Sequence, residues 1–331
     1  MHSINKITVI GGSGFVGTSL CKKLEKKNIP FEIIDLKVSK LYPHKTKKID
    51  VRHKESLTKA ITGNIIINLA AVHRDDVLDS NQYYSTNVDG AKNIIQVCKL
   101  KSIRKIVFTS TVAVYGFKDF PVSEDEQTDP FNHYGKSKLM AEHLFTEWNM
   151  GEANSLAIIR PTVIFGEGNR GNVYNLFNQI NSGRFIMVGS GRNKKSMAYI
   201  ENISSFILLC ISNDKKYALY NYADSPDINM NELVTIVRKK LKGRNSVGPR
   251  LPYIIGMTLG LLADFVSKLF SKRLPISSIR IKKFCKSTIY ISKEIHDQDF
   301  SPPFSLKEGI NRTLNSEFCN PDPNQEIFYT E

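Results

Sequence analysis

The sequence has few cysteines and no pattern among them that would indicate a disulfide framework or a metal site. None of the five forms a CxxC pair, and they are scattered along the chain: Cys21, Cys98, Cys210, Cys285 and Cys319. We therefore expect buried or incidental thiols and no metal ion. No signal peptide is visible either, because the run 7–10 already has the pattern of a first strand. Both absences lead us to expect a protein of the reducing cytoplasm.

Acidic residues are nearly absent from one long stretch of an otherwise ordinary composition, which is 41% hydrophobic and 24% charged. Between 238 and 286, 13 lysines and arginines stand against the single acid Asp264, a net charge of +12. The stretch encloses an uncharged run, 253–263, which is too short to span a bilayer. The pattern fits a segment on an anionic membrane surface, within 251–270, or a core helix with a solvated basic rim. Nucleic acid is not an expected partner, since no binding motif accompanies the charge.

Short apolar runs alternate with longer, polar, periodic stretches through the first half of the 331 residues. The runs lie at 7–10, 31–34, 65–69, 106–108 and 156–159, and the periodic stretches include 14–27, 86–100 and 134–149. This alternation predicts an α/β fold, a Rossmann-like doubly wound parallel sheet covered by helices on both faces. It breaks down after Pro161. We therefore predict a Rossmann-like domain over 1–165 and a smaller C-terminal lobe, mainly over 166–331, with the chain crossing between them more than once.

A glycine-rich turn follows the first predicted strand. Gly11 permits a tight turn, Gly14 lets the backbone approach a pyrophosphate, and Gly17 lets the helix pack on the sheet. Asp35 ends the next strand, where a carboxylate accepts hydrogen bonds from a ribose diol and repels a 2′-phosphate. The spacing predicts an NAD site, which makes 1–165 the expected NAD-binding domain and 166–331 mainly the expected substrate lobe. Lys37 lies close enough to leave the preference for NAD over NADP open.

Later strands end in residues that would border the same crevice. Asp50 and Val51 follow a third strand, and the small residues of 68–71 close the fourth. Thr111 follows the fifth, and hydroxyls at the carboxyl end of a parallel strand face the ligand crevice. We predict that the Thr111 hydroxyl donates to the reacting oxygen. A lone threonine in a loop is more often a turn residue. A chemical role for Thr111 is favoured only because another pair of residues accompanies it.

Tyr134 and Lys138 form that pair. Four residues apart in a helical stretch, they share one face. An ammonium beside a phenol favours the phenolate, which can then take a proton from a substrate hydroxyl near neutral pH. The spacing alone is weak, since a lysine-rich chain with 13 tyrosines is expected to contain about one such pair by chance.

Taken together, GGSGFVG, Asp35, NLAA, STVAVYG, YGKSK and IRPTVIFGEGN resemble the extended short-chain dehydrogenase/reductase superfamily of sugar-nucleotide epimerases and dehydratases. The resemblance runs from Ile7 to about Asn202. It implies a catalytic set of Thr111, Tyr134 and Lys138. It also implies NAD contacts at Gly11, Gly14, Phe15, Val16, Asp35, Asp50, Val51, Leu69, Ala70, Ala71, Asn87, Tyr134, Lys138, Pro161 and Val163. Related enzymes commonly form homodimers through a helix pair, here 86–100 and 134–149.

Further motifs, AVHRDDV, PFNHYGKSK, GNVYNL, KSMAY and SIRIKKFC, resemble one branch of that family, bacterial epimerases of O-antigen assembly. That branch acts on an N-acetylhexosamine carried on diphospho-undecaprenol, so the resemblance implies a lipid-linked sugar diphosphate and a position on the inner face of the cell membrane. The family pattern makes His73, Arg74 and Asn172 candidates for substrate contact, along with Thr111. His73 could equally be an ordinary loop histidine.

The predicted reaction is NAD-dependent epimerisation at C4 of the hexosamine. A UDP-GlcNAc 4-epimerase and an NAD(P)H-dependent reductase of a 4-keto sugar nucleotide remain alternatives. Met197 and Ala198 stand where UDP-galactose epimerases carry an arginine, and no RxGD motif follows, which argues against a uridine site of that kind. A dehydratase is disfavoured because Val112 and Ala113 supply no carboxylate pair. A non-catalytic NAD-sensing protein is disfavoured by the intact Thr-Tyr-Lys set.

Overall fold

A computed structural model describes residues 6–74, 77–151, 153–213, 215–270, 277–296 and 300–330. Asp75 and Asp76 of the AVHRDDV motif, and Lys272 and Arg273 of the basic stretch, lie outside the described residues.

The chain forms strands β1 to β13 and helices α1 to α12. The strands are β1 Ile7–Ile10, β2 Phe31–Asp35, β3 Thr46–Lys48, β4 Ile65–Asn68, β5 Lys105–Thr109, β6 Ser155–Pro161, β7 Val163–Phe165, β8 Met187–Val188, β9 Lys194–Lys195, β10 Met197–Tyr199, β11 Tyr217–Tyr222, β12 Ile228–Asn229 and β13 Arg250–Leu251. The helices are α1 Phe15–Lys26, α2 Lys54–Ala60, α3 Asn81–Tyr84, α4 Gly90–Lys101, α5 His133–Asn149, α6 Asn172–Asn181, α7 Ile200–Ser212, α8 Met230–Lys242, α9 Tyr253–Phe270, α10 Ser278–Cys285, α11 Lys293–His296 and α12 Leu306–Leu314. A π-helical turn, Ser85–Asp89, joins α3 to α4.

Seven strands form one parallel sheet in the order β11-β6-β5-β4-β1-β2-β3. The order of the strands reverses between β1 and β4, and in such sheets ligands bind beyond the carboxyl ends at that point. The predicted Rossmann-like sheet is confirmed, and the glycine-rich turn after β1 lies at the reversal.

Hydrophobic cores cover both faces of the sheet. Alternate residues of β1 divide between them: Ile7 and Val9 pack with α1 and α7 on one face, and Ile10 packs with α2, α4 and α5 on the other. A strand buried on both faces must be apolar throughout, which is why the sheet strands have nearly continuous hydrophobic sequences.

Three further sheets, β7–β10, β8–β13 and β9–β12, have two strands each. Apart from β7, their strands lie in the second half of the chain, with helices α6, α8, α9, α10 and α12. The same half also returns to the large sheet, because β11 pairs along its whole length with β6 and α7 packs against α1. The predicted boundary at 165 therefore cuts through the large sheet, which takes its seventh strand from beyond it. The division of roles between 1–165 and 166–331 stays a prediction.

Helix α9 is longer than the uncharged run 253–263 suggested, since it continues to Phe270 and has 18 residues. By length and composition alone it could cross a membrane, with a mean hydropathy of 1.5. The uncharged run itself has 11 residues and is still too short to span a bilayer; the helix reaches 18 residues only with Asp264 and Lys268 included. Only Gly256 and Gly260 of α9 are buried. Gly256 packs against Val188, and Gly260 packs against Ser278 and Ile281.

Candidate active site

The glycine-rich turn is packed too tightly for side chains at two of its three positions. Gly11 has a φ of +80°, and a Cβ there would lie 2.7 Å from the Ala70 backbone nitrogen. A Cβ on Gly17 would lie 2.4 Å from the Gly11 carbonyl oxygen. Gly14 differs, because its Cβ would meet only that carbonyl, at 3.4 Å. Gly14 thus presents bare backbone to open space at the start of α1, the arrangement that a pyrophosphate requires.

Asp35 stands at the end of β2, next to this turn. One carboxylate oxygen accepts from the Ser13 backbone N–H at 2.9 Å, and the other accepts from the Lys37 backbone N–H at 3.1 Å. These bonds fix the carboxylate beside the turn, where it can receive a ribose diol.

Asp50 follows β3 and is engaged with Arg52, whose guanidinium lies 2.6 Å from the carboxylate. This pairing lowers the pKa of Asp50. The neighbouring Val51 is buried and packs against Gly90 at the start of α4. Their predicted contacts with the cofactor stay a prediction.

Hydrogen bonds to the backbone and to an asparagine side chain fix the segment that follows β4. The backbone N–H of Leu69 donates to the Ile10 carbonyl at 2.8 Å, and that of Ala70 donates to the Asn68 side chain at 3.2 Å, so Leu69 and Ala70 lie beside the glycine-rich turn. Asn87 is buried. Its side-chain oxygen accepts from the Val72 N–H at 2.9 Å. Its side-chain nitrogen donates to the Val72 carbonyl at 3.1 Å and to the Ser137 hydroxyl at 2.9 Å. Asn87 therefore ties the Ala71–Val72 backbone to α5.

Tyr134 and Lys138 both lie in the first turns of α5, as predicted. The helix begins here because the Asn132 side chain caps it, accepting from the Gly135 N–H at 2.8 Å. Tyr134 is half-buried, whereas Lys138 is 1% exposed. The Lys138 ammonium donates to the Thr109 carbonyl at 2.6 Å and lies 4.1 Å from the centre of the Phe108 ring. The pair is thus fixed against the carboxyl end of β5.

Burial lowers the pKa of Lys138 to about 7, although Glu142, one turn further along α5, acts to raise it. A lysine in water has a pKa of about 10.4. The site therefore keeps an ammonium that exchanges its proton near neutral pH, as suits a group that tunes a neighbouring phenol.

Thr111 caps the short 3-10 turn Val112–Tyr115 after β5, and its hydroxyl oxygen accepts from the Ala113 N–H at 3.1 Å. Acceptance of that bond leaves the hydroxyl hydrogen able to donate, so the turn role and the predicted chemical role are compatible. Two hydroxyls beside it, on Thr109 and Ser110, are buried and have no hydrogen-bond partner in the part of the chain that the structure describes. Buried polar groups are rarely left unpaired without a reason, and a ligand at this strand end would supply partners.

A buried ion pair beneath the site was not found from the sequence. Arg160 on β6 makes two bonds to the Glu142 carboxylate, at 3.0 and 2.6 Å, and donates to the Tyr115 hydroxyl at 2.6 Å. It thereby fixes α5 to the Thr111 turn. The sign of this pair in the sequence is a pattern on α5, where Tyr134, Lys138 and Glu142 follow one another at intervals of four residues. The pattern can be interpreted only once the partner Arg160 is known.

The predicted substrate contacts lie in the loop after β4 and at the start of α6, and their contact with a substrate stays a prediction. His73 and Arg74 are exposed in the loop after β4. Although the residue as a whole is exposed, burial of its imidazole lowers the pKa of His73, and the charges of Lys138 and Arg74 act in the same direction. Asn172 is exposed at the first turn of α6. Pro161 ends β6, and Val163 begins β7 with 40% of its side chain exposed.

These residues fit a bound dinucleotide. The open Gly14 backbone, the Asp35 carboxylate, the unpaired hydroxyls of Thr109 and Ser110 and the Lys138 ammonium lie around the carboxyl ends of neighbouring strands. Among the described residues, no group of three or more His, Cys, Asp or Glu side chains could hold a metal ion. The fold and the site define a dinucleotide-dependent enzyme with a tyrosine–lysine pair.

Comparison with known proteins gives the family. Residues 7–223 match the model of the NAD dependent epimerase/dehydratase family. Over 333 aligned residues the chain is 44% identical to the N-acetyl-alpha-D-glucosaminyl-diphospho-ditrans,octacis-undecaprenol 4-epimerase of Escherichia coli O157:H7, covering 99% of each protein. The chain belongs to the NAD dependent epimerase/dehydratase family, and its resemblance to that superfamily is confirmed.

Solved structures show the same fold at low identity. A UDP-glucose 4-epimerase superimposes with a TM-score of 0.76 at 18% identity, covering 97% of this chain and 100% of the other. The Thermus thermophilus UDP-glucose 4-epimerase, solved with NAD, gives 0.71 at 17% identity, covering 94% and 98%. Use of NAD as the cofactor agrees with the family and with the residues described above.

Proposed function

We propose that this protein is a 4-epimerase that interconverts N-acetylglucosaminyl-diphospho-undecaprenol and its N-acetylgalactosaminyl counterpart. The observation that carries the proposal is the 44% identity to the Escherichia coli epimerase over 99% of both chains. The tyrosine–lysine pair on α5 and the dinucleotide crevice support the chemistry.

In the proposed reaction Tyr134 removes the proton of the C4 hydroxyl, assisted by the Lys138 ammonium. The Gly14 backbone and the Asp35 carboxylate would hold NAD, which when bound would supply a hydride acceptor for C4 and a hydride donor to the opposite face of the sugar. Thr111 donates a hydrogen bond to the reacting oxygen as charge develops there. The pocket holds the 4-keto sugar while it turns, and Tyr134 then returns the proton. Arg160 and Glu142 act as positioning residues, because they fix α5 against the Thr111 turn.

The carrier is the part of the proposal that distinguishes this protein from UDP-sugar epimerases. Met197 and Ala198 lie in β10, with both side chains buried, so this strand offers no cation for a nucleotide diphosphate. We expect kcat/KM to be higher for the lipid-linked sugar than for UDP-GlcNAc, measured with the purified enzyme by separation of the epimers. A preference for UDP-GlcNAc would contradict the proposed carrier. Stoichiometric consumption of NAD(P)H would indicate a reductase.

The same assay tests the catalytic tyrosine. Loss of a positioned acid–base group typically costs about 10² to 10⁴ in rate, so we expect Tyr134→Phe to lose activity to that extent while it still binds NAD. Tyr217→Phe, at an exposed tyrosine of β11, is the matched control and should keep normal turnover. Near-normal activity of Tyr134→Phe would make the assignment wrong.

We further propose that the protein is cytoplasmic and binds the inner face of the cell membrane through α9. A substrate on undecaprenol resides in the membrane, so an enzyme that uses it must reach the lipid surface. The basic charge between 238 and 286 suits an anionic surface. A homodimer through α4 and α5 is proposed on the family resemblance alone and would be tested by sedimentation equilibrium.

A further inference from the structure

The C-terminal segment 325–330, here called the strap, lies across the loop 166–171 that follows β7. The Phe328 N–H donates to the Gly168 carbonyl at 2.9 Å, and the Arg170 N–H donates to the Phe328 carbonyl at 2.8 Å, so the two segments pair like short parallel strands. Thr330 adds a side-chain bond to Asn169 at 2.9 Å.

Glu317, just after α12, fixes the start of this arrangement. Its carboxylate accepts from the Gly168 N–H at 2.5 Å and from the Gln325 side chain at 3.3 Å, and it lies 2.6 Å from the Arg170 guanidinium. The strap and the loop are thus held by one buried carboxylate, which makes them a single packed unit.

The loop has no room for side chains under the strap. Gly168 has a φ of +85°, and a Cβ there would lie 2.5 Å from the Glu326 carbonyl oxygen. A Cβ on Gly171 would lie 2.6 Å from the Thr330 hydroxyl. These close approaches indicate that the strap and the loop pack specifically against each other.

The far end of the strap reaches the border of the dinucleotide crevice that the glycine-rich turn forms. The Phe328 ring lies 5.7 Å from the ring of Phe15, the first residue of α1 in the glycine-rich turn. One short segment therefore links the turn and the 166–171 loop.

We propose that the strap retains the dinucleotide during turnover, with Phe328 as a positioning residue that holds the glycine-rich turn against the 166–171 loop. The inference rests on the proposed function, since an epimerase must return the hydride to the same sugar. If the reduced dinucleotide left before it returned the hydride, the keto sugar would have no hydride donor and the cycle would stop. Retention therefore has a direct value for this chemistry.

The test measures release of NADH from the loaded protein, followed by loss of NADH fluorescence after mixing with excess NAD. We expect Phe328→Ala, and a chain ending at Asn324, to release NADH at least tenfold faster than the unchanged protein. Phe328→Tyr keeps the ring and should restore slow release. Phe120→Ala removes an exposed phenylalanine elsewhere and should leave the rate unchanged.

A second readout is the NADH that appears in solution per sugar epimerised, which should rise in Phe328→Ala. Release from Phe328→Ala within twofold of the unchanged protein would overturn the inference, even if the shortened chain fails to fold. The release measurement needs no sugar. Failure of the unchanged protein to epimerise the lipid-linked substrate would therefore reject the proposed function without deciding the role of the strap.

Discussion

Lys138 is a charged side chain in a place that water hardly reaches. Its ammonium makes one described hydrogen bond, to the Thr109 carbonyl, and faces the Phe108 ring. Removal from water disfavours the charged form, which is why its pKa falls to about 7. A residue that costs stability in this way is typical of an active site.

This cost should be visible in how stability depends on pH. An unfolded lysine has a pKa of about 10.4, so above pH 7 the unfolded chain binds more protons than the folded one, and the free energy of unfolding rises with pH. Below pH 7 both states are protonated and this contribution to the slope is zero. We expect the rise to approach about 1.4 kcal/mol per pH unit and to be missing from Lys138→Met, measured by urea unfolding from about pH 6 to about pH 9.

Lys136→Met is the matched control, since Lys136 is exposed on the same helix and should keep the full slope. Lys138→Met should also lose activity, because no ammonium then assists Tyr134. The same pH slope in Lys138→Met and in the unchanged protein would contradict the account of its burial.

At the scale of elements, Glu32 holds together the end of the sheet opposite the active site. It stands in β2, is 2% exposed, and accepts hydrogen bonds from Lys6, Lys47 and the hydroxyls of Thr8 and Thr62. Burial acts to raise its pKa, but the bonds from Thr62, Lys47 and Thr8 outweigh it and lower the pKa to about 2. Glu32 thus connects three strands and the loop before β4.

We expect Glu32→Gln to destabilise the protein without changing kcat. Because the folded pKa lies below the unfolded value, the stabilisation is present above about pH 4.5 and is lost as pH falls towards 2. The shift corresponds to roughly 3 kcal/mol at pH 7. Thermal or urea unfolding would measure it, with Glu55→Gln on the exposed start of α2 as the control. An unchanged midpoint, or a loss of activity in the folded variant, would count against this role.

The elements that could be predicted from the sequence are those whose pattern is local. The apolar runs and the stretches at 14–27 and 134–149 match β1, β2, β4, β5, β6, α1 and α5 within a few residues, because burial on both faces leaves a continuous hydrophobic signal. Strand β11 was missed. Its sequence, Tyr217–Tyr222, contains buried Asn221, whose polar side chain bonds Tyr115 at 2.8 Å. Such a residue is compatible with a strand only once its distant partner is known.

The same limit applies to the site. Gly11, Gly14 and Asp35 could be placed because their roles depend on the backbone next to them. Glu142 and Arg160 could not, since 18 residues separate them and only the packing of α5 on β6 brings them together. The strap lies still further from its contacts in sequence, with 161 positions between Thr330 and Asn169.

At the scale of the whole molecule, α9 presents its two sides to different surroundings. Gly256, Gly260 and Asp264 recur at every fourth residue and form the side that packs on the protein; Asp264 accepts from the Ser278 backbone N–H at 3.1 Å. Since successive residues turn by about 100°, Ile254 and Phe265 lie on the opposite side, and both are exposed, by 76% and 67%. A helix attached along one side in this way is suited to lie in the membrane surface, with its apolar side in the lipid.

We therefore expect the protein to co-sediment with anionic vesicles and to release from them as salt increases, because the basic residues around α9 act through screened charge. Each large apolar side chain contributes about 1.5 to 3 kcal/mol when fully buried, so replacement of Ile254, Phe265 and Leu269 by Gln should reduce binding at least tenfold. Leu41 and Leu209 are exposed in the loop after β2 and on α7, outside the proposed dimer helices, and their replacement by Gln is the matched control. If the triple variant bound vesicles as well as the control, α9 would not be the membrane contact; if even the unchanged protein stayed in solution, a soluble nucleotide sugar would become the better substrate.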